Sequence, residues 1–534
     1  MKTTIKNLIL SAALVVGGAS CVDLDTAPYD RETVLTYWEE DPEAAVKALN
    51  TCYTYLGNMD EQLYCEAMTD NAYTKQPNDA TQNIGNGSYS TADPYVKKVW
   101  DGRYTGIRMC NELLENIDRV PDLDPELKKR YIGEAKVLRA YNYYELYTKF
   151  GDVPYTTKVL SIKESMSIAR TAKATVIANV LADLDEVING NYLPTSYDAD
   201  NKGRITRWAA MAIKAKIYLF EGNWTQVKNI TSTIMTEGGF KLFGSYAGLF
   251  EIANEYNSEV ILDAQYRPTS REHQMMYVFL PPTLGGYSQL SPLQELVDSY
   301  IMLDGKTIKE TGTSFDESHP YANRDPRLKA TVMYTGNSYT LADGTEVVIN
   351  CEKGEGKDGY GVGSDCSATG YYIKKYWDNT YRATLYSGLN PILIRYADIL
   401  LMNAEALAEL GELDKTAWDA TIKPIRDRAG FTLASALEFP EGASKDKLIE
   451  IVRNERRSEL ALEGHRHKDI IRWRIADNVL NGWCHGLKTN DVVGTDDGYV
   501  RVENRTFNAN KHYLWPIPQA ERDLNGNLEQ NPNW

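Results

Sequence analysis

The stretch GRITRWAAMAIKAKIYLFEGNWTQVKNITSTIMTEGG, residues 203–239, decides the fold. Arg207–Glu221 reads as one helix ending at Gly222, and Trp224–Thr236 as a second ending at Gly238 and Gly239. Glycine is the expected stop because it accepts the left-handed backbone that closes a last helical turn. Two helices of similar length with almost no linker form a helix pair. The same pairing recurs downstream, where 393–410 stops at Gly411 and 415–429 stops at Gly430. Pro424 is expected to kink or split the latter, since it lacks an N–H and its ring crowds the preceding turn. A further helix is predicted over 447–462. Upstream, 126–150 reads as helix, Ile177, Val180, Leu181, Leu184 and Ile188 form an i, i+3, i+4 stripe, and 41–56 reads as a shorter helix. Paired helices with tight turns resemble tetratricopeptide-type units, although the period is irregular.

Two regions break this pattern. Residues 70–95 are rich in Asn, Thr, Gly, Ser and Tyr. Residues 240–390 hold Gly285-Gly286, Asp304-Gly305, Asp343-Gly344 and many Thr and Tyr. Both have loop and short-strand composition. The fold class expected is therefore mainly α, with tetratricopeptide-like helix pairs carrying long irregular loop and short-strand insertions. Such a layout leaves binding to the loops.

The N-terminus has the three parts of an export signal: Lys2 and Lys6, an apolar run from Leu8 to Val16, then Gly17, Gly18, Ala19 and Ser20 directly before Cys21. A cysteine in that place looks like a bacterial lipobox, so residues 1–20 are read as the signal and Cys21 as the lipidated residue. The apolar run is short of the roughly 20 residues that span a bilayer, and later apolar segments are interrupted by charges. Two or more acyl chains anchor durably where one does not. Lipidation at Cys21 therefore means residence on a membrane.

The net charge is −16 and loss of the signal lowers it by a further two. This argues against nucleic acid or anionic lipid as partners. Tyrosine is over-used, with 36 Tyr against 10 Phe and 10 Trp. It joins an apolar face to a polar tip and suits half-wet surfaces where something stacks. Six cysteines follow Cys21. Export permits disulfides, and Cys52 with Cys65 and Cys351 with Cys366 are the pairs closest in sequence. Cys110 and Cys484 are left over, and spacing alone does not choose the connectivity.

Catalytic and metal motifs fail on inspection. Gly305-Lys306-Thr307 lacks the first glycine of a phosphate loop, because position 300 is Tyr. Asp198, Asp200, Asn201 and Gly203 suggest a calcium loop, but Lys202 and Ala209 occupy ligand positions. There is no G-x-S-x-G elbow. His465 and His467, two apart, point to different faces of a helix and do not share an ion. The reading names no catalytic residue, no metal ligand and no cofactor. A glycoside hydrolase needs only two carboxylates and stays open as an alternative.

Six segments together resemble the SusD/RagB family of outer-membrane nutrient-binding lipoproteins. They are GEAKVLRAYNYYELYTKFGDVP (133–154), GRITRWAAMAIKAKIYLFEGNW (203–224), LQELVDSYIMLDGK (293–306) with NRDPRL (323–328), IRYADILLMNAEALAELG (394–411) with IRDRAGF (425–431), RNERRSELALEGHRHKDIIRW (453–473) and YLWPIPQAERDLNGNLEQNPNW (513–534). The resemblance implies a SusD-like fold, with an N-terminal region over 21–240 and a C-terminal region over 241–534. It implies a surface-exposed, lipid-anchored protein of the outer membrane that binds oligosaccharides without turnover. It also implies a partner, a SusC-like TonB-dependent transporter barrel. A RagB-like peptide binder is the alternative within the family. Most of the motif residues read as structural: Arg324, Asp325 and Arg327 as a turn network, and Glu455, Arg456, Glu459, Glu463 and Arg466 as a charged helix face.

A sugar presents C–H faces to flat rings and hydroxyls to short polar side chains, so a glycan site needs exposed aromatics beside Asp, Asn or Arg on loops. Two stretches and one turn carry that mixture. The residues predicted to bind are Trp100, Tyr287, Trp377 and Tyr386 as stacking platforms, with Asp70, Asn71, Tyr73 and Arg382 around them.

Overall fold

Asp93-Pro94 and Asp124-Pro125 open the two longest helices in the same way. The Asp93 carboxylate accepts from Tyr95 N and Val96 N, the Asp124 carboxylate accepts from Leu127 N, and proline fills the first helical position, where no N–H is needed. The computed structural model describes residues 34–75, 80–381 and 384–534; Cys21 and Arg382 lie outside them. Its principal helices are α1 (Ala44–Tyr53), α2 (Pro94–Asn116), α3 (Pro125–Phe150), α4 (Lys173–Asn189), α5 (Arg207–Phe220), α6 (Trp224–Glu237), α7 (Tyr396–Leu410), α8 (Ile422–Ala429) and α9 (Lys445–Glu459). Each of α2 to α7 packs on the next, and α7 packs on α9. The result is a continuous helical layer, mainly α as expected. The α5–α6 pair falls within one residue of its expected ends. The helix expected over 415–429 breaks at Thr421, and Pro424 lies in the first turn of α8.

The long helix α3 is buried on every side along its last nine residues, 142–150. A helix enclosed all round belongs to the centre of a large core, and its Glu145 is matched there by Lys149 at 2.6 Å and Lys468 at 2.9 Å. The first core gathers α1 to α6 together with Ile394, Ile399, Trp515 and Ile517 from the far end of the chain. A second core is built from the insertion, with Tyr246, Phe279, Leu290, Tyr339 and Tyr372 among its members. The strands are short, and the principal ones are β1 (Ala72–Thr74), β2 (Val260–Asp263), β3 (Leu290–Pro292), β4 (Ile392–Arg395), β5 (Gly482–Lys488) and β6 (Tyr499–Arg505). Antiparallel pairing of β2 with β4 ties the insertion to the start of α7, and β1 with β3 ties residues 72–74 beneath it.

The charged residues expected to be structural lie on α9 and just beyond it, with Glu463 and Arg466 past its end at Glu459. Glu455, Arg456, Glu459, Glu463 and Arg466 are all buried. Arg395 at the end of β4 reaches Glu259 at 2.7 Å, Glu459 at 2.6 Å and Glu463 at 2.7 Å. Arg327 holds Asp325 at 2.7 Å, Glu455 at 2.7 Å and Glu459 at 2.9 Å. Burial pushes Glu459 up, but Arg428, Arg395 and Arg327 outweigh it and hold the carboxyl well below its usual range. These charges tolerate burial because each is matched by several opposite partners. The turn network expected of Arg324, Asp325 and Arg327 is present, with Arg324 donating to the carbonyls of Val297 and Tyr300.

The six described cysteines are free thiols. Cys65 Sγ donates to Gln62 O, and Cys366 Sγ donates to Lys357 O. Cys52 meets Cys110 across α1 and α2 and does not meet Cys65. The pairs nearest in sequence are thus turned to different neighbours. Among the described residues, no helix is long and apolar enough to cross a membrane, and no group of three or more His, Cys, Asp or Glu side chains could hold a metal ion.

Candidate functional site

The turn Pro281–Tyr287 folds back on the short helix Met275–Phe279. Gly285 closes the turn in the left-handed region at φ 88°, and a Cβ on Gly286 would stand 2.1 Å from Leu280 O. Only glycine therefore lets the chain return so closely. Tyr287 N then donates to Tyr277 O at 2.7 Å and Gln289 N to Val278 O at 2.6 Å. This registers Tyr287 over Tyr277: the rings lie nearly parallel, 5.8 Å apart at 14°.

Tyr386 completes the cluster from another loop. His273 and Ser387 exchange both backbone hydrogen bonds at 2.9 Å, so the 385–387 turn is pinned beside the helix that carries Tyr277. His273 is buried, which lowers its pKa to about 4, and its Nε2 lies against Leu389 O. Leu385 sits at φ 55°, a conformation costly for a branched residue, with its side chain buried in the second core. Gln274 Nε2 donates to the Tyr386 hydroxyl. The Tyr386 ring meets Tyr277 edge-on at 6.2 Å and 90°. Tyr287 is 47% exposed and Tyr386 38% exposed, among the few large aromatics left open to solvent.

Two near-parallel rings and one perpendicular ring thus stand on a surface whose backbone is cross-tied, with phenol hydroxyls and the Gln274 amide around them. Such a ridge can stack apolar faces and offer hydrogen bonds at its edges, with little ordering left to do.

The remaining predicted residues fall elsewhere. Trp100 is 4% exposed and packs edge-on against Phe150 at 5.0 Å and beside Tyr104 at 4.8 Å. It is a core residue of α2, because the helix begins at Pro94 and turns this position inward. Asp70 accepts from Arg466 Nε and Nη2 at 2.8 Å each, and Arg457 lies 3.0 Å away. Burial pushes its carboxyl up, but the two guanidinium groups hold it well below the usual range. Asn71 donates to Glu66 at 2.8 Å and accepts from Arg457 at 2.9 Å. Asp70 and Asn71 therefore serve the internal ion network and present no face to a ligand. Tyr73 is half-buried on β1, and its hydroxyl accepts from Gln82 Nε2 at 3.2 Å. Trp377 lines a separate cavity with Asp378. Tyr287 and Tyr386 are brought together, and their shared neighbour Tyr277 was missed. The signal for it was present: aromatics at 277 and 287 flank the turn-forming run PPTLGG.

Comparison with known proteins agrees over most of the chain. The model of the SusD family matches residues 249–534, and a second model, "Starch-binding associating with outer membrane", matches residues 29–219. The SusD-like protein P25 of Formosa agariphila is 27% identical over 89% of this chain and 91% of its own length. Two solved SusD-like proteins of Bacteroides fragilis superpose closely. One, described as carbohydrate binding, is 28% identical with a TM-score of 0.81 and covers 92% of this chain and 100% of its own. The other is 27% identical with a TM-score of 0.80, over 95% and 100%. With more than half of its residues matched by one family model and the fold matched over more than nine-tenths of its length, this chain belongs to the SusD family.

Proposed function

We propose that this protein is a non-catalytic surface lipoprotein that captures oligosaccharides and hands them to a SusC-like TonB-dependent transporter barrel. The observation that carries the reading is the ridge in which half-buried Tyr277 supports the exposed rings of Tyr287 and Tyr386 on a hydrogen-bonded backbone. Flat, half-exposed rings with polar tips suit sugar C–H faces and hydroxyls together. The carbohydrate-binding relative from Bacteroides fragilis and the starch-binding description of the N-terminal family model support the choice of ligand class. Outer-membrane association of the family agrees with lipid attachment at Cys21.

A polysaccharide panel read by affinity electrophoresis tests this. Retardation by at least one glycan is expected, and loss of it in Tyr287→Ala with Tyr386→Ala. Binding to peptides with none to any glycan favours a RagB-like role. Release of reducing sugar by the pure protein makes it a hydrolase and overturns the reading. Replacing Cys21 with Ala should free the protein from membranes, and the barrel should co-purify only with the anchored form.

A further inference from the structure

Trp377 belongs to a cavity of about 280 Å³, separate from the tyrosine ridge. Its indole is held by two contacts: Nε1 donates to Thr340 O at 2.9 Å, and the ring meets Tyr339 edge-on at 5.3 Å. Ala247, Phe250, Ile252 and Ala253 supply apolar lining, and Glu251, Asp378 and Thr380 supply polar lining. Asp378 is 4% exposed. Its Oδ1 accepts from Thr380 N at 3.0 Å and from Thr380 Oγ1 at 2.6 Å. Its Oδ2 is buried and accepts from no group among the described residues.

A buried carboxylate oxygen without a donor is rare and destabilising, so a native one asks for an explanation. The cations that line the cavity do not supply one. Lys375 is spent on Glu463 at 2.7 Å, Ala461 O and the Tyr246 hydroxyl, and Lys374 donates to Asn337 at 3.0 Å. Glu251, at the exposed rim, adds a second acceptor. Burial raises its pKa first, and the Asp378 charge raises it further. The cavity therefore joins an indole and small apolar side chains to two carboxylates, Asp378 with an oxygen that has no donor among the described residues and rim Glu251, whose Oε2 accepts only a long 3.4 Å bond from Asn254. A pyranose ring has the matching character, with a C–H face and outward hydroxyl donors. The volume lies at the lower edge of the roughly 300–1,000 Å³ typical of small-ligand sites, which suits one ring and not a chain.

We propose that this cavity takes a single sugar residue, a branch or chain end of the captured glycan, with Asp378 Oδ2 and Glu251 accepting its hydroxyls beside Trp377. The inference rests on the carbohydrate reading and adds selectivity to it: the ridge holds the chain, and the pocket chooses its terminal unit.

The test uses oligosaccharides that the wild-type protein retains, in matched versions with and without the terminal or branching residue, titrated by calorimetry. Asp378→Asn keeps the side chain's shape and should weaken the form bearing that residue by about tenfold or more. It should leave the trimmed form unchanged, whereas Tyr287→Ala should weaken both. If Asp378→Asn does not fold, Glu251→Gln at the exposed rim is read in the same way. Unaltered affinity of both variants for every oligosaccharide, with Tyr287→Ala still impaired, overturns the pocket and leaves the ridge standing. Absence of any glycan binding by the wild type removes both. Calcium chloride titrated into the wild type is the last arm. Calcium uptake abolished by Asp378→Asn, with sugar affinities unmoved, overturns the sugar assignment in favour of a cation.

Discussion

Helix α9 and the tyrosine ridge are opposites in composition and in placement. The residues of α9 and its continuation are charged, yet Glu455, Glu459 and Glu463 are buried against Arg327, Arg395, Arg426 and Lys375. The ridge is aromatic, yet Tyr287 and Tyr386 face solvent. Neither arrangement follows from hydropathy. Charges go inside where enough opposite charges converge to replace water. Aromatics stay outside where the backbone beneath them is already cross-tied and no neighbouring element covers them. In this protein, then, the buried ions hold the fold together and the exposed rings are free to serve a ligand.

The sharpest way to break that contrast is Arg395→Met. It removes the guanidinium shared by Glu259, Glu459 and Glu463 and leaves three buried carboxylates to share the remaining cations Arg428, Arg327 and Lys375. A loss of roughly 3–5 kcal/mol or more is expected, measured as the shift of the urea midpoint. A near-neutral result would mean that the network is not the internal frame described here.

Trp100→Ala and Tyr287→Ala should then separate structure from function. The first opens a cavity beside Phe150 and should lower stability by about 3–5 kcal/mol, while the protein that stays folded keeps its glycan affinity. The second should leave stability within about 0.5 kcal/mol and weaken binding by about 1–2 kcal/mol, the scale of a lost ring contact. An exchange of these two outcomes would return Trp100 to the ligand site.

A smaller effect concerns Glu66, whose carboxyl accepts from Asn71 and Gly464 N. Burial raises its pKa to about 7, and those hydrogen bonds only partly oppose the shift. A carboxyl raised in the folded state binds its proton there after the unfolded chain has released it. Its contribution to stability is therefore fullest below the unfolded value near 4.5 and declines as pH rises to about 7. The decline should be on the order of 1–3 kcal/mol. Glu66→Gln should flatten this part of the stability–pH curve, and an unchanged curve would remove Glu66 as its source.

Legibility in the sequence followed the range of the interactions. The α5–α6 pair and the split near Pro424 were readable because glycine stops, proline and apolar spacing act within a few residues. The turn at Gly285-Gly286 was readable for the same reason. Trp100 was misplaced because the loop composition of 70–95 seemed to continue through it, whereas Asp93-Pro94 starts a helix that turns it inward. Asp70 and Asn71 were misplaced because the partners that bury them, Arg457 and Arg466, lie nearly 400 residues away.

Local chain chemistry was sufficient for the helical scaffold, the loop-rich insertion and the family signature, since helix ends, turns and periodicity are short-range properties. Tertiary packing alone decided which charged residues are internal and which thiols meet. It also decided that Tyr277 joins Tyr287 and Tyr386, and that Asp378 keeps one oxygen without a donor among the described residues. Those outcomes depend on side chains from distant segments competing for the same space and the same hydrogen bonds, and no stretch of a single helix or loop carries that information.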